Sequence, residues 1–222
     1  MSQKGLYVQY GCGLSAPTEW INFDTSPTLR IQKIPLLGRL LKNQLPCTFP
    51  ANVRIGNIIT GLPVPANSCL GVYSSHILEH LCLNDFRKAL ENTYTILQPG
   101  GLFRCIVPDL ETYARQYVAE LESGDPRASH RFLSPWGERA MLGVESRPRG
   151  AKGILTALLG NSHHLWMWDR HSLTNELQAA GFVSIRPCAF NDSTDPMFRY
   201  VEDPDRFQSA VVLECTKQLK KP

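Results

Sequence analysis

None of the seven cysteines stands in a C-x-x-C spacing, and their number is odd. Neither a thiolate zinc site nor a disulfide framework is therefore indicated, and a reducing compartment fits. No run of about 18 apolar residues occurs, so no membrane-spanning helix is expected. The opening stretch MSQKGLYVQYGCG lacks the apolar core of a signal peptide, so a cytoplasmic location is expected, with no membrane partner. Charge of one sign is scarce too. Lys and Arg number 23 against 20 Asp and Glu, a formal net charge of +3. A dedicated nucleic-acid binder carries a concentrated positive footprint, so no nucleic-acid partner is expected. What remains is an ordinary globular composition: 222 residues, 43% hydrophobic and 19% charged, enough for one domain over 1–222.

Strands and helices alternate along much of the chain. A first strand, Leu6 to Tyr10, ends at Gly11-Cys12-Gly13, and a second, Trp20 to Phe23, ends at Asp24. The link from Leu14 to Glu19 is too short for an ordinary crossover helix. Residues 25–50 carry four prolines, and Ile34 to Leu41 there reads as a short amphipathic helix or a surface loop. A third strand is expected near Asn52 to Ile55 and a fourth at Leu70 to Ser74. Asn84 is placed to cap a helix whose Phe86, Leu90, Tyr94 and Leu97 share one stripe, before Pro99-Gly100-Gly101 stops it. Leu102 to Val107 reads as a buried strand, and Asp109 opens a helix to about Leu121. Residues from about 124 to 165 break the alternation as a lid-like insertion with basic residues Arg127, Arg131, Arg139, Arg147, Arg149 and Lys152. A last helix, about Arg170 to Ala180, ends at Gly181, and two strands follow, Phe182 to Phe190 and Ser209 to Thr216. With no helix-length segment between them, they are expected to close an otherwise parallel α/β sheet as an antiparallel hairpin.

Two short motifs carry chemistry. His76-Ile77-Leu78-Glu79-His80 spells H-x-x-E-H, an inverted zinc-peptidase pattern in which two histidines on one helical face hold a metal while the glutamate activates water. That reading needs a third, distant ligand. Gly11-Cys12-Gly13-Leu14-Ser15-Ala16 fits G-x-G-x-x-A, but Asp24 arrives too early and Pro17 interrupts any helix, which argues against a nicotinamide enzyme. The glycines still let a ligand approach the backbone, and a carboxylate ending the second strand can accept both hydroxyls of a ribose.

With "YGCG", "WINFD", "SSHILEHL", "ILQPGG" and "LFRCIVPD" in this order and spacing, the chain resembles the class I S-adenosylmethionine-dependent methyltransferases. The similarity is to the small type-11 group with an abbreviated first helix, and it covers nearly the whole chain. It implies a Rossmann-like, mostly parallel sheet with a C-terminal antiparallel hairpin and helices on both faces. It implies S-adenosylmethionine as cofactor, S-adenosylhomocysteine as product, and a cofactor set of Tyr10, Gly11, Cys12, Gly13, Asp24, Asn57, Ile58, Ser74, Ser75 and His76. Within that set Gly11 and Gly13 would border the methionine, Asp24 would hold the ribose, and Gly56-Asn57-Ile58 would lie at the adenine, with Asn where many relatives carry Asp. The "LEHL" segment would form one turn after the fourth strand, which makes the peptidase match coincidental. Small-RNA 2′-O-methyltransferases carry a similar E-x-x-E-H segment holding a divalent ion. Here His76 replaces the first glutamate, and His163 or His164 could supply the later ligand, so a divalent metal is left open.

Asn161 to Asp169 is the other informative stretch. A histidine there, His164 ahead of His163, can take the proton as an acceptor hydroxyl is methylated, with His80 a third candidate. Trp166 and Trp168 read as core in preference to a sugar platform, and Asp169 as the cap of the last helix. The insertion's basic residues suit an anionic acceptor or merely a solvated lid. The expectation is a methyltransferase acting on a small-molecule hydroxyl, such as a sugar's, against a non-catalytic S-adenosylmethionine-binding module or, remotely, a zinc metallopeptidase.

Overall fold

The computed structural model describes residues 5–41, 44–134, 140–144 and 163–219. Seven strands form one sheet: β1 (Leu6–Tyr10), β2 (Ile21–Asp24), β3 (Val53–Ile55), β4 (Cys69–Ser75), β5 (Leu97–Pro108), β6 (Phe182–Pro187) and β7 (Ala210–Lys217). Their spatial order is β3-β2-β1-β4-β5-β7-β6. The first five are mutually parallel, and β7 runs antiparallel to both β5 and β6. The expected parallel sheet with a closing hairpin is thus present.

Side chains alternate across the pleat with period two. On one face Val8, Tyr10, Val72, Phe103, Cys105, Leu213 and Cys215 pack with α3 (Leu83–Ile96) and α6 (Arg170–Ala179). Helix α3 contributes Phe86, Ala89, Leu90 and Ile96, all at most 4% exposed. Burying a Leu, Ile or Phe side chain is worth about 1.5–3 kcal/mol, so this stripe anchors the helix. The helix starts earlier than Asn84 suggests. Cys82 is its N-cap: the Phe86 N–H reaches the Cys82 carbonyl at 2.9 Å as the first helical bond, and no side chain caps the turn. It also stops at Ile96, since Leu97 begins β5.

The opposite face is covered differently. Between β1 and β2 there is no helix, only turns. The link is held by a buried amide pair, in which Gln9 donates to Asn22 at 2.6 Å and to the Ser15 carbonyl at 2.8 Å. Asn22 in turn donates to the Pro17 and Trp20 carbonyls at 3.0 Å. Trp20, Tyr73, Ile106 and Val212 on this face meet Phe198 and Val201, which belong to the long β6–β7 connection. That connection contains two single 3-10 turns, Pro196–Tyr200 and Pro204–Phe207. It is clamped by Trp20 donating to the Met197 carbonyl at 3.0 Å and by Tyr7 donating to Asp195 at 2.7 Å. Fully buried Arg104 adds a salt-bridge network with Glu202, with Asp192 at 2.9 Å and with Glu214 at 3.1 Å. A coil thus does the covering work of a crossover helix.

Residues 25–50 form α1 (Pro27–Lys33), capped by Ser26, and the single turn α2 (Leu37–Leu40), so the helical segment begins before the Ile34 to Leu41 stretch. After β5 come α4 (Leu110–Glu122), capped by Asp109, and α5 (Ala128–Leu133). Of the insertion's basic residues, Arg139, Arg147, Arg149 and Lys152 lie outside the described residues. No helix among the described residues is long and apolar enough to cross a membrane.

Candidate functional site

The carboxyl ends of β1, β2 and β4 open into adjoining cavities of about 620 Å³ and about 520 Å³, which share Tyr10, Gly11, Asp24, His76 and Ile77. Parallel strands present their chain ends there, and ligands of open α/β sheets collect in such crevices. The larger cavity adds Asn57, Ile58, Ser26 and Arg30, and the other adds Cys12, Gly13, Ser75 and Arg206. Ser74 is buried beneath them at 1% exposure and lines neither.

The glycine loop owes its shape to two left-handed residues, Gly11 at φ +66° and Gly13 at φ +55°. A Cβ at Gly11 would stand 2.1 Å from Ile77 Cγ1, whereas one at Gly13 would meet nothing within 4 Å. Only Gly11 therefore answers to close packing. Asp24 closes the loop: one carboxylate oxygen accepts the Gly13 N–H at 2.9 Å and the other the Ser26 N–H at 2.7 Å. Each oxygen keeps a further acceptor position, which suits a vicinal diol. The Asn57 side-chain oxygen already accepts the Ile59 N–H at 2.9 Å, so this residue shapes its own turn at the cavity wall. Burial, with Asp24 nearby, pushes the Cys12 thiol up to about 12, so it stays protonated and inert.

A third cavity of about 570 Å³ adjoins at His76 and is lined by Glu79, His80, Tyr113, Met141, His164 and Arg206 among others. The H-x-x-E-H segment does not sit on an α-helix. His76 is left-handed at φ +53°, and Leu78–His80 form one 3-10 turn, the single turn expected after the fourth strand. The turn is bound to the distant His164 segment from both sides. The Leu165 and Trp166 N–H groups donate to the Glu79 carbonyl at 2.8 and 3.1 Å. His80 Nδ1 contacts the His163 carbonyl at 3.0 Å, and His164 Nδ1 the Ala140 carbonyl at 2.9 Å. A carbonyl only accepts, so both Nδ1 atoms carry the proton and both Nε2 atoms are left as acceptors when the rings are neutral. Burial holds the His164 imidazole below its ordinary range, against the opposing charge of Glu79. His163 contributes its carbonyl, and its ring does not line the cavity.

Trp168 is 2% exposed and stacked near Phe86, so it is core, while Trp166 is 43% exposed. Asp169 caps α6 in a capping box with Ser172. Arg131 is engaged by Glu120 and Asp125, so its charge is turned to its own helices and away from an acceptor. Sequence reasoning missed Arg206 and its neighbours, because no spacing signals that the β6–β7 connection returns to the site.

Residues 8–105 match the Methyltransferase domain family, type 11. A methyltransferase domain is thus matched over residues 8–105 of the chain. No curated protein matches the chain. Among solved structures it is similar to a Thermotoga maritima S-adenosylmethionine-dependent methyltransferase described as a possible histamine N-methyltransferase, at 15% identity and TM-score 0.49, over 97% of this chain and 83% of that one. It is also similar to a complex of the Haloferax volcanii Trm112 methyltransferase activator with a methyltransferase, at 14% identity and TM-score 0.47, over 97% and 84%. A third is the Burkholderia thailandensis 1,6-didemethyltoxoflavin-N1-methyltransferase with S-adenosylhomocysteine, at 13% identity and TM-score 0.46, over 96% and 71%.

Proposed function

We propose that this chain is an S-adenosylmethionine-dependent methyltransferase that transfers the cofactor's methyl group to a hydroxyl of a small molecule held in the 570 Å³ cavity. Asp24 would hold the ribose hydroxyls, Gly11, Cys12 and Gly13 would border the methionine, and Asn57 and Ile58 the adenine. Tyr10 and Ser75 would line the floor, Ser74 would support it from below, and His76 would stand where cofactor and acceptor meet.

When bound, the cofactor supplies an electrophilic methyl on a sulfonium, so the chain's own work is alignment, water exclusion and proton removal. The observation that carries the hydroxyl reading is the pair of acceptor nitrogens, Nε2 of His80 and of His164, fixed by their backbone anchors beside Glu79. A neutral amine attacks with a lone pair of its own, whereas a hydroxyl gains most from losing its proton as it attacks. Positioned imidazoles accept that proton, and burial keeps His164 neutral for the task.

Purified enzyme incubated with S-adenosylmethionine and paired hydroxyl- and amine-bearing acceptors, sugars included, tests this by mass spectrometry. O-methyl products that fall away in His164→Asn are expected. Methylation confined to amines or carbons would overturn the hydroxyl assignment and leave the cofactor assignment intact.

A further inference from the structure

Glu79 is completely buried, yet neither of its carboxylate oxygens makes a hydrogen bond among the described residues. A buried carboxylate without partners costs several kcal/mol, so this one needs a counter-charge. What faces it is not a donor set. His80 Nε2 stands 3.9 Å and His76 Nδ1 3.5 Å from Oε1, beyond hydrogen-bond length. One ligand atom each from Glu79, His80 and His164 lies within 4.8 Å of the others.

The geometry points to a divalent transition-metal ion held by Glu79, His80 and His164, with open positions toward the 570 Å³ cavity. Three features argue for it together. First, atoms bound about 2.1 Å from a shared ion stand about 3–3.5 Å apart, so the present spacings close around one with small side-chain movements. Second, His80 and His164 each anchor the remaining ring nitrogen on a backbone carbonyl, at 3.0 and 2.9 Å, the second-layer contact that fixes tautomer and orientation in metal-bound histidines. Third, two imidazoles and one carboxylate suit Mn²⁺, Fe²⁺, Co²⁺ or Zn²⁺ better than Mg²⁺ or Ca²⁺, and they leave coordination positions free for an exogenous oxygen. The ring of His76 lies beside the triad, and its Nε2 contacts the Arg206 carbonyl at 3.0 Å.

Metal binding stands apart from the identity of the acceptor. Its catalytic use rests on the hydroxyl reading above and replaces the imidazole base there, since the ion takes the Nε2 lone pairs of His80 and His164: an acceptor hydroxyl bound to the ion loses its proton more readily, the proton passing to His76 or to water, and its oxygen pair forms the bond to the methyl carbon as the carbon–sulfur bond breaks.

The test uses the full chain, stripped with chelator and dialysed to equilibrium against Mn²⁺ or Zn²⁺, with bound metal counted by mass spectrometry. Mn²⁺ is informative because thiolates of the seven cysteines do not favour it. About one ion per chain is expected. Glu79→Gln and His164→Asn should each weaken binding at least about tenfold while retaining S-adenosylmethionine binding, and His130→Ala should change nothing. Should a triad variant fail to fold, imidazole nitrogen resonances of the wild type decide: Zn²⁺ should shift those of His80 and His164 and spare His130. Absence of stoichiometric binding, binding that survives the triad substitutions, or shifts elsewhere would overturn the site and assign the counter-charge of Glu79 to a proton on His76 or His80.

Discussion

The two walls of the site are made in opposite ways. The wall formed by β1, β2 and the loop between them is backbone and glycine with one carboxylate, all within residues 8–26, and Asp24 closes it onto its own neighbours. The histidine wall has no local origin: the turn at 78–80, the carbonyl of Ala140, the segment 163–166 and the Arg206 carbonyl meet only through long-range hydrogen bonds. Under the proposed function the first wall takes the cofactor, whose shape never changes, and the second faces the acceptor.

The division is broken or sharpened by substitution. The largest effect is expected for His164→Asn, which should lower kcat by about 10²–10⁴ and leave S-adenosylmethionine affinity unchanged by calorimetry. Equal loss of cofactor binding would join the two walls into one. Next in size is Arg104→Leu, which strands buried Glu202 without its cation, while Glu214 keeps Arg186 at 2.6 Å. A stability loss of about 3–5 kcal/mol in denaturant titration is expected. A neutral result would mean that Trp20 and Phe198 alone hold the β6–β7 connection.

Asp24→Ala should weaken S-adenosylmethionine by about 10²–10⁴, since two charge-assisted hydrogen bonds at about 1.5–3 kcal/mol each are lost. Within the glycine loop, Gly11→Ala should lower the melting temperature more than Gly13→Ala. Both incur left-handed strain of about 1–2 kcal/mol, but only the first drives a methyl into Ile77. Equal losses would show that Ile77 yields.

The smallest effect belongs to the cap of α6. The Asp169 carboxyl lies below its ordinary range, chiefly because it accepts the Ser172 backbone N–H. Its contribution is therefore complete above the ordinary carboxylate pKa and is lost as pH falls through the lowered one. Asp169→Ala should cost about 1 kcal/mol at neutral pH, and the gap to wild type should close under acid.

Much of the frame was legible in advance. Period-two and stripe patterns located the strands and α3, and caps such as Asp109 and Asp169 were readable because a cap acts on residues two or three places away. Asn84 misled because its side chain is a good cap, while the start of α3 at Cys82 follows from the turn at 78–80 being tied to residues 163–166. His164 was singled out for its residue type and its place before the last helix, but nothing in that reading required its ring to face Glu79.

By itself the sequence determined where most strands lie along the chain, the glycine loop and Asp24, because short-range sterics, hydrophobic periodicity and local hydrogen bonds settle these within a few residues. Tertiary structure alone decided that a coil covers the face where β1 and β2 lack a helix, through Trp20 and Phe198, and that Glu79 is buried among His76, His80 and His164. Those outcomes depend on contacts between residues far apart in the chain, 83 positions for the His80–His163 bond and 177 for the Trp20–Met197 bond. Their free energy appears only once the sheet has brought the partners together, so no local pattern records them.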